Sequence, residues 1–457
     1  MAQPTILPKQ GNIPKMPTKE DLLTILKTSG LKDKLLFTLM MLALMRLAAH
    51  IPVWGVDVEH FANGAASHLF NVFDLFSGGA LGKLSIAGLG ISPYISASII
   101  IQLLTSVFPH LMHLQKEEGQ EGRRILGQYT RYLTIGIALI QSIGLSVYIL
   151  KSGSVLPGVN PILFSIANCS CLVGGAILAL WIAEMITANG IGNGGSLLVF
   201  LGIVSRLPLV VKQLGETING INPAQSFMLL LLLGVFFSTI AFVVILQESS
   251  RKVFITSARR QVGNKVYGGQ STHIPFKLNP GSVMPVIFAF MLLGIPTALI
   301  DFVIKSNVHL GSFQPVIMFL NRSLGNGGWL YVVLEVLLIF FFSFFYASIT
   351  PDLQPKEIAE NLKKHNSAIP GIKPGRPTAD HLETILTRII FIGASALAII
   401  AFVPNALESV IGQNAGVMAF RGIGATSLLI MVGVALDFMN QIKVNLLARQ
   451  YEGFLKP

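Results

Sequence analysis

Charge is what this chain has least of. Among its 457 residues only 12% are Asp, Glu, Lys or Arg, and 52% are hydrophobic; an ordinary globular chain carries about 25% charged residues. A water-soluble fold of this length would need far more polar surface to cover its core, so the bilayer is the better solvent. Acid is scarcer than base: 22 Asp and Glu stand against 33 Lys and Arg, a formal net charge of +11. With so few charges, the basic excess belongs in loops, where it sets topology or meets an anionic partner. Cysteine is nearly absent. Cys169 and Cys171 lie two apart in an apolar run; on a helix they point to different faces, which excludes a disulfide between them and leaves two small hydrophobes. The common enzymatic motifs are missing as well. The chain has no G-x-x-x-x-G-K-[ST], no H-E-x-x-H and no G-x-S-x-G, so nothing points to nucleotide hydrolysis or to metal- or serine-based catalysis. His110 and His113 stand at i, i+3 with no third ligand at helical spacing, and Gly190–Gly195 runs into an apolar segment. Neither a metal nor any other cofactor is expected.

What is there is a series of long apolar runs. A transmembrane helix needs roughly 20 mostly apolar residues, and ten stretches qualify: about 35–53, 91–109, 132–150, 162–183, 195–213, 227–246, 283–304, 329–350, 385–403 and 423–440. The first 34 residues are polar, with Pro4, Pro8, Pro14, Pro17 and six lysines. No cleavable signal peptide is expected there, because the first apolar run is too long and too far in.

Lys and Arg between the spans fall unevenly. The N-terminal side, counting Arg388 at the start of the ninth run, holds 25 of them; the opposite side, counting Arg206 and Lys212 near the end of the fifth run, holds 7; and Arg46 lies inside the first span. That asymmetry places both termini in the cytoplasm. The largest extramembrane segments, 247–282 and 351–384, are basic, lie on the cytoplasmic side and contain turn-rich stretches. Each is hairpin-sized, so the chain reads as a pore or scaffold with two cytoplasmic prongs. Pro370, Pro374 and Pro377 make 369–377 a protruding loop tip.

Residues 71–90 are moderately apolar but carry five glycines, Asp74 and Lys83. They form either a surface loop or a short re-entrant half-helix inside a vestibule, the place where non-spanning backbone is tolerated at membrane depth. Inside the spans the chain offers the acids Glu335 and Asp437, with Arg46 in the first span able to pair with one of them. On composition alone an ion-coupled secondary transporter of small solutes ranks first, although these few charges do not cluster on broken helices.

Nine motifs then occur in order. They are Phe76-Ser77-Gly78-Gly79-Ala80-Leu81 with Gly90–Leu104; Gly122-Arg123-Arg124 with Gln128–Tyr132; Gly190–Gly194; Ala258-Arg259-Arg260-Gln261; Gln270–Pro275; Asn361–Lys364; Pro370–Gly375; Thr426–Ile430; and Gln450-Tyr451-Glu452. Together they resemble the SecY family, the central channel subunits of the bacterial and plastid protein translocase, over residues 30–455.

The resemblance implies an all-α polytopic membrane protein with ten transmembrane helices in two pseudo-symmetric halves and a re-entrant plug half-helix. Residues 1–30 would be a cytoplasmic tail. Residues 31–213 would be the first half, with spans 1–5 and the plug at 71–87. Residues 214–440 would be the second half, with spans 6–10 and loops 247–282 and 351–384, and 441–457 a second tail. It implies a pore ring of Ile91, Ile95, Val199, Ile287 and Ile430, Ile91 and Ile95 sharing one helix face. Such a ring dewets at rest yet deforms around a peptide. The plug would include Phe73, Phe76, Ser77, Gly78, Gly79, Ala80 and Leu81. A lateral gate between spans 2 and 7 would use Ser96, Gln102, Asn193 and Ile295, with Gln102 and Asn193 in a polar cluster closing the seam. Arg259, Arg260, Lys373 and Arg376 would dock a SecA-like ATPase motor or the RNA at a ribosome's tunnel exit. Further implied partners are SecE-like and SecG-like subunits, signal peptides, unfolded client chains and membrane lipid. The implied location is the bacterial inner membrane or its thylakoid equivalent. Two positions depart from the family's pattern. Gly195 stands where an isoleucine is usual, so the ring is one residue short or a neighbour such as Leu198 completes it. Lys373 stands where an arginine is usual, keeping the charge but not the bidentate fork.

Overall fold

The computed structural model of the chain describes residues 29–58, 61, 74, 77–116, 118–208, 212, 223–257, 260–262, 265–267, 271–305, 314–324, 328–350, 353–411 and 425–455. Each of the ten apolar runs falls on a helix. Five of these helices are α1 (Ser29–Ala48), α2 (Ser92–Val107), α4 (Gly119–Lys151), α5 (Pro161–Asn189) and α6 (Gly194–Val204). The other five are α7 (Pro223–Glu248), α8 (Met284–Lys305), α10 (Trp329–Ile349), α12 (Arg376–Ile411) and α13 (Ala425–Leu455). Three shorter helices were not expected as spans: α3 (Pro109–Lys116), α9 (Gln314–Leu324) and α11 (Pro355–Lys364). Among the described residues five helices are long and apolar enough to cross a membrane alone, and α2 with α3, bent by 107°, makes a sixth if the two count as one span.

Helix ends follow local chemistry rather than the edges of the apolar runs. At α5, Asn160 Oδ1 accepts from the amide of Ile162 and Pro161 occupies the first turn, the usual N-terminal punctuation. Span 1 stops at Ala48, short of the expected 53. Beyond it Pro52 bridges to Ser85, with Val53 N–H donating to Leu84 O and Ile86 N–H to Ile51 O. Conversely, α12 starts well ahead of its apolar run and α13 outlasts its own, because a helix continues through polar sequence until something breaks it. Pro377 lies in the first turn of α12, where its missing N–H costs nothing.

The prongs carry the only strands among the described residues. β1 (Ser250–Ser257) and β4 (Ser271–Lys277) pair antiparallel from Ser250↔Lys277 to Thr256↔Ser271, with β2 (Arg260–Val262) and β3 (Lys265–Tyr267) paired between them. β5 (Ser367–Ala368), from the second prong, adds to the free edge of β1, giving the order β4-β1-β5. The helical architecture therefore bears a small sheet that unites both prongs. Val253, Ile255 and Phe276 from the sheet pack on Leu382, Ile385 and Leu386 of α12 and on Leu362 of α11.

A larger apolar cluster runs through the middle of the helical body, with residues from α1, α2, α5, α6, α7, α8, α10, α12 and α13. Outside it the bundle is greasy: Leu47, Ile140 and Ile162 are each more than 70% exposed. A soluble helix bundle turns polar residues outward; this one presents apolar side chains, as a lipid-facing surface does.

Candidate functional site

The five aliphatic residues expected in the ring come from four helices and share one large buried cluster. Ile91 caps α2 and Ile95 follows one turn on, its amide donating to the Ile91 carbonyl. Val199 lies in α6, Ile287 in α8 and Ile430 in α13. All five belong to the central apolar cluster, with exposures of 1%, 9%, 1%, 4% and 0%. Leu198, buried beside Val199, belongs to it too. A Cβ at Gly195 would lie 3.4 Å from Tyr94 Cε1, and the position borders a cavity of about 250 Å³ lined by Tyr94, Arg131, Glu184 and Thr187. Arg131 Nε donates to Glu184 Oε1 at 2.6 Å across that cavity's wall.

The segment expected to be the plug lies against the same cluster, which includes its Ala80. Helical backbone is found at Asp74 and Ser77 and ends at Gly78 and Gly79, whose φ values of +69° and +84° suit glycine; from Gly78 to Ile91 the chain is mainly a run of turns. Phe73 and Phe76 lie outside the described residues. Polar contacts anchor this segment. Asp74 Oδ1 accepts from the amide of Gly82 at 2.7 Å and Ser77 Oγ accepts from that of Leu81 at 3.1 Å. Asp74 Oδ2 forms an ion pair with Arg206 Nη2, the two side chains being 16% and 19% exposed. The Gly78 carbonyl accepts from Arg46 Nη1 at 2.8 Å, and Ser205 Oγ, which donates to the Gly202 carbonyl at 2.7 Å, lies 3.2 Å from it. Arg46 thus bonds the Gly78 carbonyl rather than Glu335 or Asp437, the acids within reach of it by sequence. A backbone oxygen with two lone pairs serves a guanidinium as well, and the turn at Gly78 brings it within reach. Gly78 is pressed so tightly on α6 that a Cβ would stand 2.8 Å from Gly202 Cα.

These anchors, Arg46, Asp74, Ser205 and Arg206, escaped the motif reading. An arginine inside an apolar span was the signal that pointed to one of them.

The residues expected at the gate are less closely joined. Ser92 Oγ and Met291 Sδ, 4.0 Å apart, link α2 to α8. Ser96 and Gln102 are half-buried on α2. Gln102 Nε2 donates to Ser98 Oγ at 3.4 Å, and exposed Asn193 caps α6 by accepting from the amides of Gly195 and Ser196. The two amides expected to share one cluster are thus engaged within their own segments. Ile295 has a helical backbone in α8, but its side chain, like that of Arg260, lies outside the described residues, as does all of Arg259. Lys373 is exposed in the turn that follows β5, and Arg376 is exposed as the first residue of α12.

The SecY family model matches residues 85–439. The chain belongs to the SecY family. A SecY protein translocase subunit from Synechococcus elongatus is 41% identical over 445 residues, covering 96% of this chain and 97% of that one. Two solved structures share the fold. One is a SecY protein whose plug domain stabilises the closed state of its translocation channel and maintains a membrane seal; it has a TM-score of 0.62, 18% identity and coverage of 93% of this chain and 95% of that one. The other is Sec61 in the canine ribosome–channel complex, with a TM-score of 0.58, 16% identity and coverage of 93% and 95%. A SecY-family chain with several apolar spanning helices is a multi-pass membrane protein. Within this family the solute-transporter alternative finds no support. Glu335 sits buried in α10, Asp437 lies in α13 against Ser282, and Arg46 bonds the Gly78 carbonyl, so these three charges occupy separate places rather than one ion site.

Proposed function

We propose that this chain is a passive protein-conducting channel: it passes unfolded secretory polypeptides across the membrane and releases hydrophobic segments sideways into lipid. The observation that carries the reading is the burial of Ile91, Ile95, Val199, Ile287 and Ile430 in one apolar cluster that also takes in Ala80. An aliphatic constriction excludes water and ions when empty, and offers no fixed polar partner that would select one client over another. The turn anchored by Asp74 and Gly78 is the plug, closing the constriction from the extracytoplasmic side. The halves 31–213 and 214–440 close around it, and α2 and α8 form the lateral gate with Ser96, Gln102, Asn193 and Ile295. The Gln102 and Asn193 amides, each held locally, leave a seam weak enough for a signal helix to part.

The termini and prongs face the cytoplasm, in keeping with 25 of 33 cations on that side. There Arg259, Arg260, Lys373 and Arg376 dock an energy-supplying partner, a ribosome or a SecA-like motor. SecE-like and SecG-like subunits brace the apolar outer surface. The channel performs no covalent chemistry and its setting is the bacterial inner membrane or the thylakoid. Reconstitution tests the proposal: proteoliposomes holding the complex, supplied with motor and ATP, should shelter a secretory precursor from added protease. Equal protection in liposomes lacking this chain would refute it.

A further inference from the structure

We propose that Asp437 is a positioning residue that carries partner docking at the prongs to the ring in the second half of the channel. The proposal rests on the channel reading above. The prong hairpin β1–β4 is rooted between two membrane helices, leaving α7 at Glu248 and rejoining α8 at Met284. At this root Leu278 N–H donates to Ser249 O at 2.9 Å, and residues 279–282 make a tight turn in which Asn279 Nδ2 donates to Ser282 O at 2.6 Å. Ser282 holds φ at +51°, a conformation a serine seldom keeps without a reason.

The reason visible in the structure is its hydroxyl. Ser282 Oγ reaches Asp437 Oδ2 on α13 at 3.2 Å and Gln247 Oε1 on α7 at 3.4 Å. A serine has one hydrogen to give. With its Oε1 facing Ser282, Gln247 leaves a buried Nε2 without a partner. Turning the amide end for end resolves the first conflict and gives a chain from Gln247 N–H to Ser282 O–H to the Asp437 carboxylate. Tyr346 of α10 stands within electrostatic reach of Asp437. One polar knot therefore ties together α7, the prong root and α13, with α10 alongside.

Its neighbours make the knot mechanically stiff. One turn before Asp437, a Cβ at Gly433 would stand 2.1 Å from Val283 Cγ2; only a glycine lets α13 lie so close to the residue following Ser282. Ile430 is one turn further back along α13, and Ile287 is five residues beyond Ser282. Each ring residue of the second half is thus joined through a short rigid stretch to a member of the knot. A prong that tilts on docking turns Ser282, Ser282 drags Asp437, and α8 and α13 move as one body that carries Ile287 and Ile430.

The test uses the full membrane complex in proteoliposomes with ribosome–nascent-chain complexes. Docking is read by co-flotation, and translocation per docked ribosome by protease protection. Ser282→Gly relaxes the turn and removes only the hydroxyl, so a merely structural role predicts no defect. The proposal predicts docking within twofold of wild type and translocation per docked ribosome reduced at least fivefold, both for Ser282→Gly and for Asp437→Leu. Asp437→Asn, which keeps an acceptor for Ser282, should recover most of the rate. Unchanged translocation in assembled Ser282→Gly and Asp437→Leu complexes overturns the proposal. So does a loss of docking that accounts for the whole loss of translocation. A wild-type complex that docks ribosomes and shelters no precursor overturns the channel reading itself.

Discussion

Asp74 and Arg206, 132 positions apart in the chain, meet as an ion pair that fastens the plug segment to the turn following α6. The pair is mostly shielded from solvent, and Asp74 also caps the Gly82 amide, so losing either partner leaves a shielded charge and a loosened turn.

Arg206→Ala should therefore loosen the plug. A hydrogen bond to a charged group contributes about 1.5–3 kcal/mol, which corresponds to roughly a tenfold or greater rise in the population with the plug displaced. Opening frequency of the resting complex in planar bilayers measures this. Asp74→Ala, which also gives up the Gly82 bond, should do at least as much, and the double variant should be little leakier than Asp74→Ala alone, because the ion pair is already lost there.

Gly78 and Gly79 both hold positive φ, yet only Gly78 touches α6; nothing lies within 4 Å of a Cβ built at Gly79. Either Gly→Ala change strains the backbone by about 1–2 kcal/mol. Gly78→Ala adds a collision with Gly202 and Ser205 and should raise resting conductance several-fold more than Gly79→Ala.

A polar group in the constriction should wet it. Ile287→Asn and Ile430→Asn are expected to increase resting ion conductance in plug-deleted complexes lacking 71–87, where the ring alone must seal. Gly195→Val should leave that conductance within twofold of its parent, since the position faces Tyr94 and the neighbouring cavity while Leu198 fills the cluster.

The exposed cations of the second prong should act through charge. Lys373→Glu combined with Arg376→Glu is expected to weaken ribosome co-flotation about tenfold at low salt, with the difference shrinking as ionic strength rises.

Much of this arrangement is legible in the sequence because it is local. Ten apolar runs become helices wherever lipid is the solvent, and Ile91 with Ile95 declares a shared face by spacing alone. The basic loops declare a side by their cations. What was hidden is long-range. The hydrophobic alternation of 250–257 is too weak to announce a strand, and its partners at 271–277 and 367–368 are set by the ladder itself. The segment 71–90 kept two readings because its burial depends on residues far away: Arg46, Gly202, Ser205 and Arg206 decide it. Motif resemblance leaves Gly195 as either a gap in the ring or a place that Leu198 fills; Leu198 lies in the central cluster, and a Cβ at Gly195 would face Tyr94, a contact that spacing alone does not declare.

The central claim is that a client chain passes through the ring, and the most direct measurement is site-specific photo-crosslinking to a stalled secretory chain. A crosslinker at Ile287, 4% exposed in the closed cluster, should capture the stalled chain, while one at Leu337, 59% exposed on the outer face of α10, should label lipid instead. Assembled complexes in which the Ile287 probe yields no client adduct, or in which both positions label the client equally, would contradict it.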